Sequence, residues 1–412
     1  MKIDVTALKD SNEFLNLLLA NIDTAVFIAD EQLKIYQFND SFLNLFRRSD
    51  ETMVEMTFGM ASGCINAVRE NKPCGETSVC QYCILKKSLI NSLSIQKPHE
   101  KKSLERVFYI HGQPIKKYLE FTSRPILFQD RRMILVFIYD VTKIELSKIE
   151  LEKKQRQIDV DLEKAAEIQK NLLPQSLPEI PSISIHWFFE PCRMVGGDIF
   201  YIYKEDDRHI SAYILDVCGH GVSAALIAVT LKQFLDQLHA QGLSRGEPFP
   251  PEKILNLLEA EFPFERFDCY FTMVHLLLDV QTGALLYGCA GHVPPVVVGP
   301  NHRFRVLDRH GIIIGLGQDL PLKQYETKLL PGDKLILYTD GLIDYFGPKG
   351  KAGNKDEFYN LLKTISNKPC KEIVTDVVAA LKKIRGQKAI DDDISLLAIE
   401  YNGYRPDPSD FE

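Results

Sequence analysis

Four aspartates stand at the ends of apolar runs, close to glycine or further acid: Asp198 in VGGD, Asp216 in LDVCGHG, Asp340 in YTDG and Asp392 in DDDIS. The segment from Asp198 to Asp216 reads as a hairpin turning at KEDDRH, and a turn centred on Asp207 sets Asp198 opposite Asp216. Opposed residues of a hairpin point to one face of the sheet, where two carboxylates repel unless a cation lies between them. Asp340 ends the apolar run KLILYTD, with Gly341 allowing a tight turn. Asp392 opens ISLLAIEY, and Asp391 and Asp393 add charge beside it. Ligation by carboxylate oxygens suits Mg²⁺ or Mn²⁺ rather than zinc. Two such ions could share a water, lower its pKa and clamp a phosphoryl group for in-line attack. Singly, each of these aspartates would read as a turn residue. The set is what points to chemistry.

Three regions must position them. Residues 12–142 alternate strand and helix signals: AVFIAD and KIYQF joined by a short polar turn, a helical segment around Ser41–Phe46, then VFYIHG, YLEFTSRPILF and RMILVFIYDVT. Two strands, helices and three antiparallel strands make an α+β sensor layout. Residues 143–174 lack turn formers until Pro174, with Ile144, Leu151, Ile158, Ala165 and Leu172 seven residues apart. The second seam position is poor (Ser147, Lys154, Asp161, Ile168), so the helix reads either as a solvated connector or as a dimeric signalling helix, the reading adopted here. Residues 175–402 are strand-rich, with helical patterns at 221–242, 251–262 and 370–385. Strand runs apolar on both faces, such as HISAYILDV, point to central strands covered on each side.

The chain has 412 residues, with 49 Lys+Arg against 56 Asp+Glu and a net charge of −7. That balance excludes the basic stripe of a dedicated nucleic-acid binder. No apolar run approaches the roughly 18–20 residues of a membrane span, and the first residues show no secretory pattern. A cytoplasmic protein is expected. Nine cysteines agree with a reducing compartment, and four of them, Cys64, Cys74, Cys80 and Cys83, fall within twenty residues.

From about residue 160 to 402 the chain resembles the SpoIIE/RsbU branch of the metal-dependent protein phosphatase 2C superfamily. AAEIQKNLLPQSLP is similar to the family's lead-in helix, MVGGD to its first metal motif and LDVCGHGVSAAL to its second. GCAGHVPPVVV resembles an Asn-Ala-Gly-His-Pro-Pro segment, and LLPGDKLILYTDGLID and DDDISLLAIE resemble the third and fourth acidic motifs. The resemblance implies an αββα sandwich holding two Mn²⁺ or Mg²⁺ ions where the sheets meet. It implies removal of phosphate from Ser or Thr of a partner protein, typically a small anti-anti-sigma (STAS-type) domain in a partner-switching pathway. Carried over by position, Asp198 and Asp216 are metal ligands at the catalytic centre, with the Val217 carbonyl beside them. Asp340 and Asp392 complete the set, and Asp391 is the alternative to Asp392.

Cys218 replaces the usual Ser of DVSGHG, Cys289 an Asn, Asp344 a Glu and Tyr201 an acidic residue; none is an expected ligand. His220 and His292 could serve as general acid, or simply brace their turns. Arg193 is a weaker phosphate contact. A catalytically inactive scaffold that only binds the partner is the alternative function, and the presence of all four acidic positions counts against it.

Residues 12–142 resemble a PAS domain: LLLANIDTAVFIADEQLKIYQFNDSFLNLF is similar to the family's opening and VFIYDVT to its closing strand. The resemblance implies a sensory or dimerisation module, hence a homodimer through this domain and the helix. Within it, only Cys80 and Cys83 have knuckle spacing. The four cysteines are read as a zinc or iron–sulfur site, a thiol redox switch or inert buried thiols. If that site dominated, the chain would be chiefly a metal or redox sensor.

Overall fold

The computed structural model describes residues 21–404, apart from 49–52, 129, 175–176, 178–179, 193, 310, 318–320, 347–354, 387 and 389. Arg193 therefore lies outside the described residues. The chain divides into two compact units, Met1–Gln157 and Ile158–Glu412. The division falls within a single 31-residue helix, Thr142–Leu172, one residue earlier at each end than its sequence pattern suggests.

The N-terminal unit is a five-stranded antiparallel sheet. Its strands are β1 (Ala25–Ala29), β2 (Ile35–Phe38), β3 (His99–Ile110), β4 (Gln113–Phe128) and β5 (Arg131–Asp140), in the order β2-β1-β5-β4-β3. Helices fill the connection between β2 and β3, as the sequence suggests. The first, Asp40–Phe46, is capped by Asn39, whose side chain accepts from the Phe42 amide. Phe42 and Phe46, one helical turn apart, reach the sheet and pack with Phe27, Phe58 and Phe108. This aromatic nucleus is fully buried apart from Phe58, at 9% exposure.

The C-terminal unit contains two further antiparallel sheets of five strands. The first comprises β7 (Ile199–Lys204), β8 (His209–Val217), β9 (Phe271–Asp279), β10 (Ala284–Ala290) and β13 (Tyr325–Lys328). The second comprises β6 (Ile183–Glu190), β11 (Val296–Gly299), β12 (Arg303–Val306), β14 (Asp333–Tyr338) and β15 (Ile394–Tyr401). Alternation along β14 and β15 explains the layering. Leu335, Leu337, Leu397 and Ile399 join a cluster shared with the first sheet, whereas Ile336, Tyr338, Leu396 and Ala398 pack against Phe358, Leu362, Ile373 and Val377. Those four come from helices Lys355–Ile365 and Cys370–Arg385. Helices Val222–Arg245 and Pro251–Glu261 contribute Leu231, Leu235, Leu255 and Leu258 to the first cluster. The order of layers is thus helix, sheet, sheet, helix, the expected αββα sandwich. Strands β6, β12 and β13 and the helix Lys355–Ile365 were not apparent in the sequence pattern.

Candidate functional site

The hairpin β7–β8 is where the site begins. Ile199 pairs with Leu215 and Lys204 with Ile210, with no bulge between them, which is the register set by a turn centred on Asp207. Asp198 and Asp216 lie one step beyond the last pair, close enough for the charge of one to raise the other. Asp198 is 2% exposed, and its Oδ2 accepts from Thr339 Oγ1 at 2.8 Å and Ser395 Oγ at 2.7 Å. Burial pushes its carboxyl well above the usual carboxylate range, and the charges of Asp216 and Asp393 add to the rise. Asp216 is pushed up to about 7, first by burial and then by Asp340, Asp392 and Asp393.

The other two acids arrive from the second sheet. Asp340 follows β14 and opens the single-turn helix Asp340–Ile343 at the solvent-facing rim. Desolvation of its carboxyl and the nearby Asp344 raise its pKa. Asp392 precedes β15, is half-buried, and is raised by desolvation and by Asp340, Asp393 and Asp344. Gly341 makes this approach feasible: a Cβ there would stand 2.1 Å from the Asp393 carbonyl oxygen. Asp391 takes no part in the cluster. It is exposed, and its amide meets Tyr345 Oη at 3.1 Å.

Asp393, given no role by sequence reasoning, braces the first motif. Its Oδ2 accepts from the Gly197 amide at 2.6 Å and the Asp198 amide at 3.3 Å, and its Oδ1 from the Cys192 amide at 2.8 Å. A Cβ on Gly196 would meet that carboxylate at 2.1 Å. The available signal was the GGD run itself, because successive amides without side chains form a concavity that seeks an anion. A second missed residue is Gln169, buried in the last turns of the long helix. Its side-chain amide donates to the Gly196 carbonyl at 2.7 Å and accepts from the Gly196 amide at 3.1 Å.

The two histidines separate. His292 is buried; its Nε2 donates to the Tyr338 carbonyl at 3.1 Å, so Nδ1 accepts from Thr272 Oγ1 at 2.6 Å. Burial lowers it to about 4. With both ring nitrogens engaged it braces the sheet ends, the turn-bracing reading of the two. His220 is exposed in the loop after β8. Val217 pairs with Phe271, and its carbonyl oxygen lies 2.7 Å from where a Gly197 Cβ would stand, beside the first motif.

Among the described residues, no three Asp, Glu, His or Cys side chains close on one point tightly enough to hold an ion as they stand. The donor set nevertheless fits a hard divalent cation. It is built of carboxylates, and the ion pairs among the described residues lie elsewhere in the chain. Protons currently offset part of the charge that a cation would offset. In the N-terminal unit, Cys64, Cys74 and Cys80 approach one another while Cys83 caps the helix Ile84–Ile95. These cysteines likewise form no closed ligand set for zinc or an iron–sulfur cluster.

Two carboxylates at the end of a hairpin, joined by two more where a second sheet meets it, are the arrangement that the resemblance to the protein phosphatase 2C superfamily implies. Comparison with known proteins shows similarity to the SpoIIE/RsbU type over this unit. Residues 206–402 match the family model of Stage II sporulation protein E (SpoIIE). The chain is 26% identical over 249 residues to phosphoserine phosphatase RsbU of Bacillus subtilis, covering 60% of this chain and 71% of that protein. It is 26% identical over 227 residues to phosphoserine phosphatase RsbP of the same organism, covering 54% of this chain and 53% of RsbP, about half its length. Among solved structures, the SiaA-PP2C domain of Pseudomonas aeruginosa superposes with a TM-score of 0.53 at 22% identity, covering 60% of this chain and 98% of that one. This last likeness is one of fold.

Proposed function

We propose that this protein is a signal-regulated, metal-dependent serine/threonine phosphatase that removes phosphate from a partner protein, a small anti-anti-sigma (STAS-type) domain. One observation carries the reading: carboxylates from four separate chain segments meet where the two sheets join, and their pKa values rise together. Mn²⁺ or Mg²⁺ held by Asp198, Asp216, Asp340 and Asp392, with the Val217 carbonyl, would supply activation of the attacking water and charge neutralisation at the phosphoryl group. Asp198 and Asp216, both raised, would give up any proton they hold on loading. Thr339 and Ser395 hold Asp198 in place, and Asp393 fixes the glycine loop that carries it. His220, exposed on the loop that follows Asp216, would protonate the leaving seryl or threonyl oxygen.

On the same reading the N-terminal unit is a PAS-like sensor (residues 12–142), residues 143–174 form the signalling helix and residues 175–402 the catalytic domain. The sheet order and the helices between β2 and β3 support the sensor assignment. A homodimer formed through the sensor and the helix, in the cytoplasm, completes the proposal. Among the described residues no helix is long and apolar enough to cross a membrane.

The test is release of phosphate from p-nitrophenyl phosphate with Mn²⁺ and from a phosphorylated STAS-type domain. Asp216→Asn and Asp340→Asn should each abolish turnover. A folded protein inactive with every divalent metal would overturn the enzyme reading in favour of a binding scaffold.

A further inference from the structure

Two of the four clustered cysteines, Cys64 and Cys74, meet around Gly59, and Cys80 lies beside Cys74. A Cβ on that glycine would stand 2.4 Å from Cys74 Sγ and 3.5 Å from Cys64 Cβ. Cys74 and Cys80 lie close enough for each to shift the other's thiol. Cys80 Sγ also accepts from the Gly75 amide at 3.1 Å and lies 2.9 Å from Thr77 Oγ1. The chain therefore folds back so that the sulfur of residue 80 touches the backbone immediately after residue 74. Side chains so arranged need little backbone movement to form a bond between sulfurs.

We propose that Cys74 and Cys80 are a reversible dithiol–disulfide pair oxidised by a peroxide, giving the N-terminal unit a redox input. The roles of the two sulfurs differ. Burial alone would raise Cys80, but donors from Thr77 and Gly75 outweigh it and hold the thiol below its ordinary value. Cys74 is pushed up to about 11 by burial and by neighbouring Cys80 and Cys64. Cys80 is thus the attacking thiolate and Cys74 the resolving thiol. A cavity of about 460 Å³, lined by Gly59, Met60, Lys72 and Pro73 among others, lies beside the glycine against which Cys74 packs.

The steps balance as follows. Cys80 sulfur attacks one oxygen of hydrogen peroxide, the O–O bond breaks, and the departing hydroxide takes the thiol proton as water, leaving a sulfenic acid. Cys74 sulfur then attacks Cys80 sulfur; the S–O bond breaks and a second water leaves with the Cys74 proton. Two thiols lose two electrons, and one peroxide becomes two waters. Two equivalents of a small thiol reverse the change by exchange.

The bond would also have a mechanical consequence. Cys80 opens the short turn Cys80–Tyr82, which runs through Cys83 into the helix Ile84–Ile95. That helix packs on β3, β4 and β5. A disulfide would tie its start to the loop around Gly75, on a sheet whose last strand runs into the helix at Thr142.

This inference is independent of the phosphatase reading. The reduced full-length chain is treated with one to ten equivalents of hydrogen peroxide, alkylated and mapped by peptide mass spectrometry. A Cys74–Cys80 cross-link that disappears with dithiothreitol is expected. In Cys74→Ser, Cys80 should stop at a sulfenic acid captured by dimedone; in Cys80→Ser, Cys74 should stay unmodified at the same dose. Cys64→Ser and Cys83→Ser should still form the cross-link. A different cysteine pairing, an unreacted Cys80 in excess peroxide, or a purified chain whose four thiols are protected by a stoichiometric bound metal would each overturn the proposal.

Discussion

Replacing Asp393 by Asn separates the three consecutive aspartates into three different roles. Its carboxylate receives three backbone amides, from Cys192, Gly197 and Asp198, at 2.6–3.3 Å. An asparagine keeps only one acceptor oxygen. Whichever way the amide is turned, its NH₂ faces a backbone N–H that the carboxylate accepts from. Hydrogen bonds to charged groups contribute about 1.5–3 kcal/mol each, and a buried donor left unsatisfied costs a similar amount. Against this stands some relief, because Asp393 is one of the charges that raise Asp198 and Asp216. The net loss should be about 2–3 kcal/mol. For a unit of this size that corresponds to a fall of roughly 5–10 °C in melting temperature.

Loosening the glycine loop also loosens Asp198, so Mn²⁺ affinity should fall by at least ~10-fold, as for other residues that orient ligands. Differential scanning calorimetry of the metal-free protein and Mn²⁺ titration measure the two effects. Asp391→Asn should change neither quantity, since Asp391 is exposed and outside the cluster. Asp392→Asn should weaken Mn²⁺ binding without the loss in melting temperature. If Asp393→Asn melts where Asp391→Asn does and binds Mn²⁺ as tightly, the bracing argument is refuted.

Gln169→Ala leaves both backbone groups of Gly196 without their partner, at a cost of roughly 2–4 kcal/mol in denaturant unfolding, and Gln169→Glu, which keeps an acceptor, should lie between it and the parent. In metal-free protein at pH 8, Asp216→Asn should raise stability by roughly 1–3 kcal/mol while abolishing Mn²⁺-dependent hydrolysis, because a carboxyl held near 7 is ionised there against its neighbours. His275 is buried and lowered to about 4 by that burial, so it stays neutral while the unfolded chain protonates; stability is full above about 6.5 and is lost as pH falls toward 4. Between pH 7 and 5 the parent should lose roughly 2 kcal/mol relative to His275→Phe; parallel pH profiles would refute this.

Legibility in the sequence followed how local each determinant was. The β7–β8 hairpin was readable because turn chemistry and strand length sit in one continuous segment, and its register came out residue for residue. The strands of the second sheet that are apolar on both faces, β14 and β15, were equally plain. β12 and β13 were not: their burial alternates between half-buried and exposed, and each has only four residues. β6 mixes Ser, His and Glu with its apolar positions, and only pairing with β15 makes it a strand. The site divides the same way. Asp198, Asp216, Asp340 and Asp392 stand at motif ends and announce themselves, whereas Gln169 and Asp393 act on Gly196 and Gly197 across 27 and 196 residues of chain. No local pattern encodes a partner that distant.

Proton and metal should compete for the same oxygens, which makes the pH dependence of metal binding the strictest test of the cluster. Asp198 lies well above the carboxylate range and Asp216 near 7, each through burial and like charge. Below about pH 7 a cation must displace a bound proton, so apparent affinity should weaken by up to about tenfold per pH unit for each proton released. Above pH 8 the part of the dependence that comes from Asp216 should level off, because that carboxyl has already ionised. Calorimetric titration with Mn²⁺ at pH 6, 7 and 8, in buffers of different ionisation enthalpy, counts the protons directly. The expected result is net proton release that is larger at pH 6 than at pH 8 by up to about one proton, the share of Asp216. Affinity and proton count that do not change across that range would mean that Asp198 and Asp216 are not where the ion binds, whatever activity the chain displays.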